Sequence, residues 1–330
     1  MGWSCAEIRG WWIRTGVAGW VGFALMTGAG DAAASPLVNE PILPVPLCTT
    51  MDGDKLRLGR RLYHDVRLSA NNTVSCATCH PLERWGVDGQ ERSSRVDGVR
   101  DGLHTPTVFN ALFNLAQFWN GRAATLEDQV DEVVRVQMGS DWNDVVRKLT
   151  QDADYRREFG RFYRGGIQAA SIRDALAEFE RSLITPNSRF DRHLRGDPQA
   201  ITAEEKAGYA LFKGLGCVSC HQGVNLGGNM YHHSGVFVGV GSGAAESAAD
   251  EQDRFAVTGV PEDRRVFKVP GLRNVARTAP YFHDGRVATL EDAVTDMARS
   301  QLGRALAVGE RDRLVAFLRT LDGALYGECP

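Results

Sequence analysis

The pentapeptide Cys76-Ala77-Thr78-Cys79-His80 recurs as Cys217-Val218-Ser219-Cys220-His221, and no other stretch restricts the chain so narrowly. Thiols spaced as C-x-x-C at the start of a helix can each add across one vinyl group of a haem. The histidine that follows is then held under the iron as its proximal ligand. Taken singly, C-x-x-C also reads as a redox disulfide or as half a zinc site. Two copies with the histidine in register instead predict two covalently bound c-type haems, attached through Cys76, Cys79, Cys217 and Cys220 and ligated by His80 and His221.

A chain of 330 residues has room for about two domains of ordinary size, so one haem per domain is the simplest division. The formal net charge of −3 and the lack of a long basic run argue against nucleic acid as a partner. At the N-terminus Arg9 and Arg14 precede an apolar run from Gly16 to Gly28, followed by Ala32-Ala33-Ala34. That order predicts a secretory signal peptide over residues 1–34. The alternative is a membrane anchor, but the run is shorter than the roughly 20 apolar residues needed to span a bilayer. Export to the periplasm agrees with the haems, because covalent attachment to C-x-x-C-H takes place outside the bacterial cytoplasm. Cys5 is lost with the signal, which leaves Cys48 and Cys329 near the ends of the mature chain, either paired in an oxidising compartment or as two free thiols.

Residues 35–54 are proline-rich and aperiodic and read as an extended N-terminal arm. A first haem domain, 55–193, opens with a helix from Lys55 to Tyr63 lined by Leu56, Leu58 and Leu62. The polar, glycine-dotted stretch from Gly86 to Gly102 reads as a loop over one haem edge. Thr125 is placed to cap a helix from Leu126 to Met138, with Leu126, Val130, Val133 and Val134 at helical spacing. Further helices are predicted over Trp142 to Thr150, Tyr155 to Phe162 and Gln168 to Leu183, the last with Ile172, Leu176, Phe179 and Leu183 on one face. Thr185 to Ala200 reads as a linker to a second haem domain, 194–330. There Thr202 and Glu205 form a capping box for a helix running to Lys213, Asn225 to Gly259 is a long loop, and a last helix spans Glu310 to Leu321 before Gly323. No segment alternates with period two for long, so the class is mainly α.

An internal repeat relates the halves. Pro106-Thr107-Val108-Phe109-Asn110 matches Pro270-Gly271-Leu272-Arg273-Asn274, and Gly121 to Asp128 matches Gly285 to Asp292 without a gap. In the same register Met297 falls opposite Val133, and only the methionine can ligate iron. The two haems should therefore differ at the sixth position.

Thr105 to Asn110, Phe118-Trp119-Asn120-Gly121-Arg122-Ala123 and Leu272 to Gly285 resemble the bacterial di-haem cytochrome c peroxidase family, which includes MauG-type enzymes. The similarity runs from about Lys55 to Leu321. It implies two cytochrome c-type domains in tandem, packed so that an electron-transfer haem feeds a peroxidatic haem through a tryptophan. Position by position it gives His221 and Met297 to the electron-transfer haem, His80 to the peroxidatic haem, Trp119 to the bridge and Gln129 to the peroxidatic pocket. Read without the resemblance, Met297 would fill a core, Trp119 would be a core aromatic and Gln129 a solvated helix residue.

Three positions depart from the family pattern. The histidine that caps the resting peroxidatic iron has no counterpart in Ser94-Arg95-Val96-Asp97-Gly98, so the need for reductive activation does not carry over. Gln137 stands before Met138 where a pocket glutamate is usual, after a two-residue shortening. His104 stands where an asparagine helps to hold interdomain calcium, although Thr278 and Pro280, whose carbonyls would offer it oxygen, keep their places. The implied substrate is hydrogen peroxide and the implied donor a small monohaem cytochrome c or a cupredoxin. A homodimer is compatible with the reading, and the sequence does not decide the oligomeric state. The competing readings are a MauG-like enzyme that modifies a partner protein, which would normally carry tyrosine at the position of Met297, and an electron carrier with both irons capped.

Overall fold

The computed structural model describes residues 39–47, 53–100, 103–237 and 252–324. The signal peptide, most of the arm, Cys48 and Cys329 lie outside the described residues. From Gly53 the chain forms α1 (Gly53–Tyr63), the short α2 (Cys76–Cys79), α3 (Leu126–Glu132), α4 (Trp142–Thr150), α5 (Ala153–Phe162) and α6 (Ala169–Ser182). Short polar side chains start several of them. The Thr125 hydroxyl accepts from the N–H of Asp128, Asp141 from those of Asn143 and Asp144, and Asp152 from those of Asp154 and Tyr155. The chain continues through α7 (Arg189–Leu194), α8 (Ala203–Gly214), strand β1 (Tyr231–His233), α9 (Phe255–Thr258), strand β2 (Val266–Lys268), α10 (Leu290–Leu302) and α11 (Val308–Leu318). The capping box of Thr202 and Glu205 opens α8 as predicted. Among the described residues no helix is long and apolar enough to cross a membrane.

Four expectations are corrected. The helix from Leu126 to Met138 is α only to Glu132, and Val133–Gln137 is a π-helical turn. The carbonyls of Gln137 and Met138 accept from the N–H groups of Val96 and Ala70, at 2.9 Å each, so neighbouring loops hold the end of this helix. The linker from Thr185 to Ala200 contains α7, whose Phe190 and Leu194 are buried. The loop from Asn225 to Gly259 contains β1 and α9, and β1 pairs antiparallel with β2 through Tyr231 and Lys268, His232 and Phe267, and His233 and Val266. The last helix begins at Val308 and tightens into a 3₁₀ turn at Arg319–Leu321.

Two apolar cores result. The first gathers Leu58, Leu62 and Tyr63 of α1, Val130 of α3 and Leu176 and Phe179 of α6. The second gathers Phe190, Tyr209, Phe212, Leu314 and Phe317, with the Phe190 and Tyr209 ring centroids 4.7 Å apart and those of Phe190 and Phe317 5.0 Å apart. Ile42 of the arm joins the second core, while Val45 N–H donates to Asp191 Oδ1 (3.1 Å) and the Leu43 carbonyl accepts from Arg273 Nη2 (2.9 Å). Each core contains a helix crossing made close by a glycine. A Cβ on Gly59 of α1 would sit 2.2 Å from the carbonyl oxygen of Ala175 in α6, and one on Gly208 of α8 would sit 2.0 Å from that of Arg313 in α11.

The sequence repeat is also a repeat of backbone conformation. Asn110 and Asn274 both take left-handed φ values, 62° and 61°, and both donate through Nδ2 to the hydroxyl of Thr185 (2.8 and 2.9 Å). Phe118 and Phe282, which are equivalent in the repeat, do the same at 67° and 69°. Where the halves meet, equivalent positions exchange main-chain bonds: His104 N–H donates to the carbonyl of His283, and Lys268 N–H to that of Trp119, each at 2.7 Å.

Candidate functional site

Both C-x-x-C-H segments form a single turn in which the histidine N–H returns to the carbonyl of the first cysteine, at 2.9 Å in each. Ser75 N–H donates to Thr78 Oγ1 (2.9 Å) and starts the first turn; Gly216, with φ 83°, starts the second. The four cysteines are half-buried free thiols. Burial raises all four, Cys217 to about 11, and the carboxyl of Glu180 raises Cys76 further. A redox C-x-x-C works through a depressed thiol, the opposite of this. Among the described residues no group of three or more His, Cys, Asp or Glu gathers as a metal set.

The two histidines are oriented alike. Nδ1 of His80 lies 2.9 Å from the carbonyl oxygen of Gly86, and Nδ1 of His221 lies 3.1 Å from that of Leu226. A carbonyl only accepts, so Nδ1 carries the proton and Nε2 keeps its lone pair. Burial holds both imidazoles below the ordinary histidine value, His221 at about 4, and so keeps them neutral. Neutral thiols in pairs beside an imidazole with a free Nε2 are the donor set that a covalent haem requires.

Trp119 is half-buried and held by both halves of the chain. Its Nε1–H donates to the carbonyl of His104 (2.8 Å), its own carbonyl accepts from Lys268, and its ring meets that of His283 edge-on with centroids 6.4 Å apart. His283 in turn stacks on Phe267 at 4.2 Å. Two residues on, the backbone at Gly121 passes so close to Tyr231 that a Cβ would lie 2.0 Å from the phenolic oxygen. The tryptophan is thus locked at the seam between the two cores.

Gln129, Val133 and Gln137 follow one another at intervals of four along α3 and the π turn, which puts them near one face. Oε1 of Gln129 and Oε1 of Gln137 are both buried without a hydrogen-bond partner. A buried orphan acceptor costs about 1–3 kcal/mol, so two that flank one position point to a ligand with something to donate. Gln137 also lines a cavity of about 420 Å³ with Arg95, Asn120, Arg122, Glu132 and Val136, in which Arg122 Nε donates to Glu132 Oε1 (2.5 Å). The segment after the first motif closes over this end, with Ser94 bridged to Arg100 and Val96 N–H bonded to the Gln137 carbonyl.

In the second half Met297 is half-buried on α10, yet it is not among the side chains packed into the second core, whereas Val133 does pack against the first. His64 is exposed. His104 is buried with Nδ1 2.8 Å from the Gln90 carbonyl, and its ring also faces the carbonyl of Thr278. Thr278 and Pro280 lie on the same turn, with a cis bond between Ala279 and Pro280. The sequence reading missed Lys268, buried at the junction, although the repeat register sets it opposite His104.

Comparison with known proteins agrees with this arrangement. The family described as "Di-haem cytochrome c peroxidase" matches residues 53–199. The chain is 46% identical over 288 residues to cytochrome c peroxidase Ccp of Escherichia coli K12, covering 86% of this chain and 62% of that protein, so it spans less than two thirds of that relative's length. It is 40% identical over 303 residues to the cytochrome c551 peroxidase of Nitrosomonas europaea, covering 91% of this chain and 88% of that one. Among solved structures, a MauG-like protein associated with microbial copper homeostasis superposes with a TM-score of 0.74 at 30% identity, over 86% of this chain and 93% of that chain. By sequence, fold and paired haem motifs, the chain belongs to the di-haem cytochrome c peroxidase family.

Proposed function

We propose that this protein is a periplasmic di-haem peroxidase that reduces hydrogen peroxide to two waters, taking two electrons from a small cytochrome c or cupredoxin and two protons from solvent. The observation that carries the reading is the asymmetry of two otherwise matched sites. The repeat supplies Val133 in the first half, four residues from each of Gln129 and Gln137 with their orphaned amide oxygens, where it supplies Met297 in the second.

The residues divide the work accordingly. Cys76 and Cys79 anchor one haem and Cys217 and Cys220 the other, and the haems supply the redox chemistry when bound. His80 and His221 offer neutral Nε2, with the Gly86 and Leu226 carbonyls fixing each ring. Gln129 and Gln137 accept hydrogen bonds from peroxide and orient it; an amide does not exchange protons as a carboxylate would, so Gln137 is a positioning residue. Trp119 joins the two centres. Residues 55–193 form the peroxidatic unit and 194–330 the electron-transfer unit, with α7 straddling the boundary. The carbonyls of Thr278 and Pro280 would serve calcium, and the His104 ring, facing the Thr278 carbonyl, competes for one of them. Methionine at position 297, in place of tyrosine, favours peroxide reduction over modification of a partner protein.

The test is addition of hydrogen peroxide to the purified protein with and without a reduced monohaem cytochrome c. Donor oxidation strictly dependent on peroxide supports the proposal; a protein that neither binds peroxide nor turns over is an electron carrier.

A further inference from the structure

Lys268 closes β2 at the seam between the two cores, with only 8% of its surface exposed. Its N–H is bonded to the Trp119 carbonyl, and across the sheet it pairs with Tyr231. Paired residues of an antiparallel sheet project to the same face, and Tyr231 lies against Gly121, so Lys268 faces the turn that carries Trp119. Three other buried ionic side chains have counterparts: Asp191 with Arg273 (2.8 Å), Glu205 with Arg189 (2.6 Å) and Asp284 with Arg286 (2.8 Å). Among the described residues no carboxylate reaches the Lys268 ammonium. Burial by itself, with no anion to oppose it, holds this lysine down at about 8.

An unpaired ammonium inside a protein is expensive, and such groups are kept where an anion meets them. Each haem carries two propionates, and Trp119, to which Lys268 is bonded, is the residue proposed above to join the two haems. We propose that Lys268 is the buried counter-charge of a haem propionate at this junction, an assignment that rests on the two-haem reading above. A lysine-propionate pair is a charge-assisted hydrogen bond, and it puts a fixed positive charge beside a redox centre. Such a charge favours the ferrous state, which carries one positive charge fewer than the ferric.

The experiment uses the full-length holoprotein as wild type, Lys268→Met, Lys268→Gln and Lys268→Arg. Haem content is measured first, and then both midpoint potentials are titrated spectroscopically. The expected result is two haems in every variant, a lower potential at one haem in Lys268→Met and in Lys268→Gln, and retention of the wild-type value in Lys268→Arg. Unmoved potentials in both neutral variants overturn the inference, as does a shift in Lys268→Arg as large as in Lys268→Met, which would mark a packing effect. A wild-type protein lacking two covalent haems overturns the two-haem reading itself, and this inference with it.

Discussion

One hydrogen bond decides what each histidine can do. With Nδ1 committed to the carbonyl of Gly86 or Leu226, neither ring can turn without breaking that bond, and Nε2 is the atom left to ligate under the proposed reading. Met297 is the residue proposed to make the two sites unequal. Replacing it with alanine is expected to abolish any thioether-to-iron charge-transfer absorption and to lower the potential of the second haem, because thioether ligation raises potential. Optical spectra with a redox titration check this, and an unchanged spectrum and potential would remove Met297 from the ligand set. Trp119 acts through position, its indole N–H tied to His104 and its carbonyl to Lys268. Trp119→Ala should slow peroxide turnover and leave both haem spectra nearly intact. Full turnover in that variant would mean that electrons cross the seam without it.

Among the elements, two helix crossings hold the two cores in shape. α1 crosses α6 at Gly59, and α8 crosses α11 at Gly208, with carbonyl oxygens where a Cβ would need to be. Gly208→Ala forces α8 and α11 apart and is expected to cost about 1–3 kcal/mol, read as a lower thermal midpoint. Gly214→Ala in the same helix is the control. Nothing lies within 4 Å of its would-be Cβ, so this change should be neutral or add up to about 1 kcal/mol by restricting the unfolded chain. Equal loss in both variants would show that the crossing does not set the stability of this unit. The π turn at Val133–Gln137 ends with the Gln137 carbonyl bonded to Val96 N–H, which ties this end of the helix to the neighbouring loop.

For the molecule as a whole, the proposed asymmetry has a consequence for activation. The loop from Ser93 to Arg100 is folded on itself and bonded to the Gln137 backbone, His64 is exposed, and the His104 ring faces the Gln90 and Thr278 carbonyls. On the proposed reading, neither His64 nor His104 caps the first iron. The oxidised protein is expected to show a high-spin component, to bind cyanide at once and to turn over peroxide without prior reduction of the second haem. Electron paramagnetic resonance and stopped-flow mixing check this. A wholly low-spin oxidised protein that becomes active only after one-electron reduction would falsify it.

The chain by itself determined the paired motifs and their duplication. The two C-x-x-C-H motifs, the internal repeat and the offset of Met297 from Val133 are properties of residue identity and spacing, and covalent attachment depends on those alone. The helical class and most helix starts were legible too, because caps such as Thr125 and Thr202 are local. Only the tertiary structure decided what happens across the seam. That His104 bonds to His283 and Lys268 to Trp119, that Asn110 and Asn274 converge on Thr185, and that α7 packs into the second core rather than linking the halves all depend on contacts between residues distant in sequence. Periodicity reports burial on one element. It cannot say which partner occupies the other side, so a buried lysine in β2 passes unnoticed until the turn carrying Trp119 is folded against it.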